Sequence, residues 1–354
     1  MIWIDILEPK YSMFFIELIP ILESKGYKYV ITTRHNESYK ESSELLTLHG
    51  IKHHNIGGYG DTLEEKFTTR MQRQQGFLDL FKEIGYPKVL LCGASVDAIQ
   101  CASAIGIKSV NFADTPLRNH QFNYDDITVV SKLTFPLSDL LFHPFVVPAD
   151  IYNKIGVDNK KIISYDFIDV CLWMKKITKE SKNDFRKKYN LDSSKYTILC
   201  REEEFKANYV NEKLPVIYEL IDKILNIMDV NIVIMPRYES THLYELFSDR
   251  VTVLEKKLKP EEFYPFIDML IGGGGTMNLE AGYMGIPVIS TRSFLLFHDK
   301  YLIDNKIIKW SNSSTEALEF VQELLGKKQD NKHFFCKSDC SFEKIFNIIE
   351  DKFL

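Results

Sequence analysis

The segment with the most specific chemistry in this 354-residue chain is Gly272-Gly273-Gly274-Gly275-Thr276, followed one turn later by Glu280 and then by Gly285-Ile286-Pro287. The apolar run before it, 269–271, reads as a strand and the residues after it as a helix start. Several main-chain N–H groups therefore converge on the positive end of a helix, a place suited to phosphate. The run lacks the lysine and hydroxyl of a GxxxxGK[ST] loop. It also lacks GxGxxG spacing with an acidic residue about 20 positions on, so ATPase-type and NAD-type sites are disfavoured. Glu280 is placed to accept hydrogen bonds from vicinal hydroxyls such as those of a ribose. Asp5 ends the first apolar run, and Asp114 follows the run 109–112, close to His120. The C-terminal ends of parallel strands line the ligand crevice, so Asp114, Asp5 and His120 are candidates for the base that takes a proton from an attacking hydroxyl. Arg201 and Arg237 each end an apolar run in the second half, where a guanidinium can neutralise a departing diphosphate. With no Asp-x-Asp pair to hold Mg²⁺, that charge falls to arginines and a helix dipole, and no metal is expected.

These residues need elements to position them. Short β-rich runs at 2–6, 29–33, 89–92, 109–112 and 140–147 alternate with amphipathic stretches. The rhythm breaks between about 160 and 180, then resumes with runs at 197–200, 231–235, 251–254, 269–271 and 288–290. Strands alternating with helices predict parallel sheets covered on both faces. The expected fold class is α/β: two Rossmann-like doubly wound domains facing across a cleft, at 1–165 and 166–340. A C-terminal helix, 341–354, is expected to pack back on the first. The polar helix 62–84, with Arg70 and Arg73, reads as a solvated face or a dimer contact.

Composition narrows the function classes. Hydrophobic residues at 45% and charged residues at 26% exclude a disordered chain or a disulfide scaffold. Lys plus Arg at 44 against Asp plus Glu at 49 gives none of the basic footprint that nucleic acid demands. Six cysteines without framework spacing and an N-terminus without a basic-then-apolar leader point to the cytoplasm. The apolar stretch 140–149 is too short to span a bilayer, so no transmembrane anchor is expected, although 142–147 suits a peripheral contact.

One family carries these motifs in the same order. Ile2-Trp3-Ile4-Asp5-Ile6 with Phe14-Phe15, Thr33-Arg34, Asn111-Phe112-Ala113-Asp114-Thr115, Leu133-Thr134-Phe135-Pro136-Leu137-Ser138-Asp139, Arg201, Pro236-Arg237 and the glycine block resemble the uncharacterised prokaryotic family called domain of unknown function 354. More broadly, the chain resembles nucleotide-sugar enzymes of GT-B architecture, the MurG-like glycosyltransferases and UDP-N-acetylglucosamine 2-epimerases. The resemblance implies that Gly273, Gly274, Gly275 and Thr276 bind diphosphate, that Glu280 binds ribose, and that Arg292 and Asp299 face the sugar. The epimerase Gly-Asp-Thr turn corresponds here to Gly93-Ala94-Ser95, which lacks the carboxylate, and the epimerase Arg-Pro-Glu turn is absent. Asp114 lies near a glutamate of that family. The implied activity is transfer of a sugar from a nucleoside-diphosphate sugar, UDP-linked, on the C-terminal domain. The acceptor, a glycan, lipid-linked or small molecule, would sit on the N-terminal domain, in surface glycan or polysaccharide biosynthesis and without a cofactor. A 2-epimerase or hydrolase, or a GT-B-shaped scaffold without chemistry, remain the alternatives.

Overall fold

A computed structural model describes residues 1–37, 39–178, 185–203, 216–237 and 240–354. The chain forms two compact units. The first comprises Met1–Leu117, Phe122–Leu172 and Ser338–Leu354; the second comprises Arg118–Gln121 and Trp173–Lys337. The division thus falls at Leu172/Trp173, later than the 165/166 boundary read from the sequence.

The first unit holds β1 (Ile2–Ile6), β2 (Tyr29–Thr33), β3 (His54–Asn55), β4 (Val89–Cys92), β5 (Lys108–Phe112), β6 (Leu140–Pro144) and β7 (Ile162–Tyr165). They make one parallel sheet in the order β3-β2-β1-β4-β5-β6-β7. The second unit holds β8 (Thr197–Arg201), β9 (Asn231–Met235), β10 (Thr252–Val253), β11 (Met269–Gly272), β12 (Val288–Ser290) and β13 (Ile308–Trp310). Its parallel order is β10-β9-β8-β11-β12-β13. In each sheet the winding reverses once, between β1 and β4 and between β8 and β11. Ligands of such sheets bind at the strand C-termini beside that reversal.

The central strands are apolar on both faces because helices cover both. Every residue of β1 and of β4 is buried. Helix Leu63–Ile84 starts in a capping box built by Thr62 and Glu65 and sets Phe77 and Phe81 edge-on to Trp3 at 4.7 and 4.9 Å. Its polar side is exposed, as its polarity suggests, but Arg73 does not belong to that side. Arg73 is 1% exposed and clamps Asp5 and Asp97 under the sheet edge. In the second unit, Ile217, Leu220, Ile221 and Ile224 of helix Val216–Ile227 pack on Ile198, Ile232 and Ile234 of the sheet.

The last helix, Phe342–Phe353, belongs to the first unit. Phe342 lies 4.8 Å from Phe14 and 5.8 Å from Phe112, Phe346 meets Tyr27 edge-on, and Lys25 pairs with Glu350 at 2.6 Å. Strands β7 and β13 have no counterpart in the sequence reading. Each is the edge strand of its sheet and buries a single residue. Among the described residues, no helix is long and apolar enough to cross a membrane, and no three His, Cys, Asp or Glu side chains are grouped to hold a metal.

Candidate functional site

The reversal in the second sheet brings the predicted phosphate residues together. Arg201 ends β8, Gly272 ends β11, and the two are register partners. The glycine run leads directly into helix Gly275–Tyr283, whose N-cap is Gly274. Gly274 has no side chain with which to cap that end, and no acidic residue stands in the first turn. The N–H groups of the first turn therefore need an acceptor from elsewhere.

These glycines are required by space, since neither Gly272 nor Gly273 has a positive φ. A Cβ on Gly272 would lie 1.9 Å from Asn278 Oδ1, and one on Gly273 would lie 2.6 Å from the main-chain nitrogen of Glu203. The loop is tied down by Gly273 N–H donating to the Arg201 carbonyl at 2.9 Å and Thr291 N–H donating to the Gly272 carbonyl at 3.1 Å.

Two guanidinium side chains flank the helix end. Arg292 Nη1 lies 3.0 Å from where a Gly275 Cβ would stand, and Arg201 Cγ lies 3.6 Å from the same point on Gly274. Arg201 Nη1 donates to the carbonyls of Pro236 and Met235 at 2.5 and 3.2 Å, which ties the ends of β8 and β9 together. Cations crowded on the positive end of a helix repel it, and an anion bound there removes that cost. Arg237 joins this edge through its main chain, donating its N–H to Glu202 Oε2 at 2.8 Å. Thr276 is the second helical residue of the turn.

Two expected ligand residues have other duties. Asp299 is 3% exposed, accepts from Arg292 Nη1 at 2.5 Å and caps its own helix by accepting from Leu296 N–H at 2.8 Å. It orients Arg292 and does not face a sugar. Glu280 is 6% exposed, with Oε1 accepting from Trp173 Nε1 at 2.7 Å and Oε2 from the Tyr264 hydroxyl at 2.6 Å. Burial outweighs both hydrogen bonds and pushes its carboxyl up to about 7. With each oxygen already held by a donor, this carboxyl joins Trp173 and Tyr264 to the helix rather than standing open to a ribose.

Sequence reasoning missed the neighbours of Arg201. Glu202 accepts from the Tyr218 hydroxyl and from His242 Nε2 at 3.1 Å. Glu203 Oε1 accepts from Ser293 N–H and Oγ at 2.8 and 2.9 Å, while Oε2 is shut off from solvent without a hydrogen-bond partner among the described residues. Burial raises the Glu203 carboxyl above its ordinary range. A buried carboxyl with one unused oxygen, pressed against the glycine loop, is suited to a ligand hydroxyl. Its signal was the strand end itself, Arg201-Glu202-Glu203.

The corresponding edge of the first sheet has its own polar cluster. Lys10, in the first turn of helix Pro9–Ile16, reaches Asp114 and Asp169, each at 2.5 Å. The Tyr165 hydroxyl donates to Asp169 at 2.5 Å, and Tyr11 donates to the Phe112 carbonyl at 2.8 Å. Burial disfavours the Lys10 ammonium, but the charges of Asp114 and Asp169 outweigh it and hold Lys10 protonated beyond its ordinary range. Asp114 retains 19% side-chain exposure, against 3% for Asp169. It is the carboxylate of this pair that solvent and a ligand can reach.

Asp5 is a correction. It is fully buried and accepts from Thr32 Oγ1 at 2.5 Å, Ser95 Oγ at 2.6 Å and Arg73 Nη2 at 2.9 Å. An enclosed carboxylate with three donors is structural and not a cleft base. His120 does not join Asp114 either. It lies in the segment Arg118–Gln121, which clusters with the second unit, and its Nδ1 is 3.4 Å from the Leu295 carbonyl. In the turn after β4, Ala94 adopts a φ of 53° and Ser95 caps the next helix. That turn supplies no carboxylate.

With this geometry in hand, comparison places the chain. It matches the family described as "Protein of unknown function (DUF354)" over residues 1–353. The chain belongs to this family. A curated relative, the uncharacterized protein MJ0665 of Methanocaldococcus jannaschii, is 26% identical over 99% of this chain and 98% of its own length. Among solved structures, the UDP-GlcNAc 2-epimerase of Methanocaldococcus jannaschii in complex with UDP-GlcNAc and UDP is similar at a TM-score of 0.77 and 18% identity, covering 99% of this chain and all of that one (100%). The glycotransferase of kitacinnamycin is similar at 0.63 and 12%, covering 100% and 99%. Both likenesses concern the fold. This family member has two parallel-sheet Rossmann-like domains of the kind found in GT-B epimerases and glycosyltransferases.

Proposed function

We propose that this protein is a nucleotide-sugar enzyme that transfers a glycosyl group from a nucleoside-diphosphate sugar, UDP-linked, to an acceptor hydroxyl. The observation that carries this reading is the uncapped glycine helix end between Arg201 and Arg292 at the reversal of the second sheet. It suits a diphosphate leaving group without a metal ion. In this reading the acceptor oxygen loses its proton to Asp114 and bonds to the anomeric carbon. The bond from that carbon to the diphosphate breaks, and the departing charge is met by the helix N–H groups, Arg201 and Arg292. Glu203 takes a hydroxyl of the donor. Surface glycan biosynthesis in the cytoplasm is the setting we infer for it.

A second reading, a 2-epimerase or hydrolase, draws support from Lys10 between two carboxylates, an acid–base group that requires no second substrate. Calorimetry with UDP and GDP, followed by product analysis of their sugars with and without a panel of glycosyl acceptors, separates the readings. Turnover that requires an acceptor and falls in Asp114→Asn supports transfer. Equal turnover without any acceptor supports the second reading. Binding with no turnover under any acceptor leaves a scaffold, and absence of nucleotide binding refutes the donor site.

A further inference from the structure

Among the described residues, one guanidinium of the first unit, that of Arg34, forms no ion pair with a carboxylate of its own. Arg34 follows the last residue of β2, at the same C-terminal sheet edge as Lys10 and Asp114. It is only partly buried, yet its Nε is shut off from solvent and finds no acceptor among the described residues. One side of it is covered by aromatic rings: its Cζ stands 4.1 Å from the centre of Tyr59 and 5.1 Å from that of Tyr39, and the two rings meet edge-on at 4.4 Å. The ring placement is itself fixed. Asn36 Nδ2 donates to the Tyr59 carbonyl at 2.7 Å, and Tyr39 N–H donates to Asn36 Oδ1 at 2.9 Å. Stacking fixes the plane of a guanidinium and leaves its N–H edges as the directions of recognition.

The neighbouring carboxylates are already engaged. Asp97 pairs with Arg73 at 2.7 Å and Arg70 at 3.3 Å, and Asp5 pairs with Arg73 at 2.9 Å. Three guanidinium groups, Arg34, Arg70 and Arg73, thus share two carboxylates, with the exposed Glu8 contributing only weakly to the field at Arg34. Burial and the charge of Arg73 together hold Arg34 below the ordinary arginine range. An enclosed cation with this surplus of positive charge is costly unless a ligand brings the missing anion.

We propose that Arg34, packed against Tyr59 and Tyr39, is the anchor of an oxyanion site, so that the ligand of the first unit carries a phosphate or carboxylate group. The anion site stands on this geometry alone; calling its occupant the acceptor of glycosyl transfer rests on the function proposed above. The occupant is then an anionic acceptor, and a neutral glycan is excluded.

Calorimetry on the full chain, with saturating UDP present to fill the second unit, tests the site using inorganic phosphate, pyrophosphate and malonate. Wild type binds at least one of the three, and a preference between phosphate species and malonate identifies the source of the oxyanion. Arg34→Met weakens that binding by about 10- to 100-fold, the loss of charge-assisted hydrogen bonds, while UDP affinity stays unchanged. Its ligand-free melting temperature equals or exceeds that of wild type, because a charge without a partner has been removed. Arg34→Lys retains charge without the planar fork and falls between the two. Binding of none of the three by wild type, undiminished binding by Arg34→Met, or a ligand-free Arg34→Met that melts lower than wild type each overturns the proposal. Diffraction from wild-type crystals soaked in selenate, with the anomalous peak sought against the Arg34 guanidinium, decides the matter independently of any variant. If wild type fails to bind UDP but loses oxyanion binding with Arg34→Met, the donor assignment falls and this site stands.

Discussion

Glu280→Gln turns the buried carboxyl of the second unit into a stability sensor. In wild type, Glu280 accepts from Trp173 and Tyr264 and titrates near 7 against an ordinary 4.5. Below pH 4.5 both the folded and unfolded chains hold its proton, and the shift contributes nothing. Between 4.5 and 7 the unfolded chain releases the proton while the folded chain keeps it, so stability falls as pH rises, and above 7 the loss is complete. The full difference amounts to about 3 kcal/mol, an upper figure for a shift of this size. Glutamine has no proton to lose. Its carbonyl accepts from Trp173, and its amide donates to the Tyr264 oxygen, whose own hydrogen has the Met277 carbonyl 3.4 Å away. Urea unfolding followed by tryptophan fluorescence at half-unit steps from pH 4.5 to 8.5 is the assay. We expect Glu280→Gln to match or fall slightly below wild type at pH 4.5 and to exceed it by about 2–3 kcal/mol at pH 8. Parallel stability curves across that range would refute the argument that burial, rather than hydrogen bonding, controls this group.

Three further outcomes are expected. Arg292→Gln removes a guanidinium from the glycine helix end and leaves Asp299 buried without its cation, so calorimetry will show UDP binding weakened at least tenfold, together with a loss of about 2–4 kcal/mol in urea unfolding. Gly273→Ala drives a Cβ to 2.6 Å from the Glu203 main chain; a lower melting temperature and loss of UDP binding are expected together, and an unchanged protein would show that the loop yields freely. Arg73→Met leaves Asp5 buried without its cation and should cost about 3–5 kcal/mol by urea unfolding, without altering UDP affinity in the second unit.

Local signals in the sequence were readable, and partners distant in the chain were not. The glycine run was legible because four consecutive glycines are costly unless space demands them, and it marked both the end of β11 and the start of helix Gly275–Tyr283. Arg201 was legible as the last residue of an apolar run. Asp5 sits at an equally telling strand end, yet its neutralising partner, Arg73, arrives from a helix far along the chain whose polarity read as solvent exposure. Asp299 and Glu280 were misassigned for the same reason. Nothing within a few residues announces Arg292 as the charge that Asp299 holds, or Trp173 and Tyr264 as the donors that enclose Glu280. Lys10 and Asp169 went unnoticed because their meaning lies in being brought to Asp114 from separate turns. The edge strands β7 and β13 escaped because each buries a single residue, so no fully buried apolar run marks them.

The return of helix Phe342–Phe353 to the first unit sets an order of assembly. The second unit, apart from Arg118–Gln121, is an insertion between Leu172 and Ser338 of the first. Its chain therefore emerges whole from the ribosome before Phe342 can cover Phe14 and Phe112. During synthesis the first sheet waits with an aromatic face open while the second folds, although chains ordinarily complete their domains from the N-terminus onward. Residues made after the second unit close the core begun by those made before it, and a ribosome that stops after Lys337 releases a finished second unit attached to an unfinished first one.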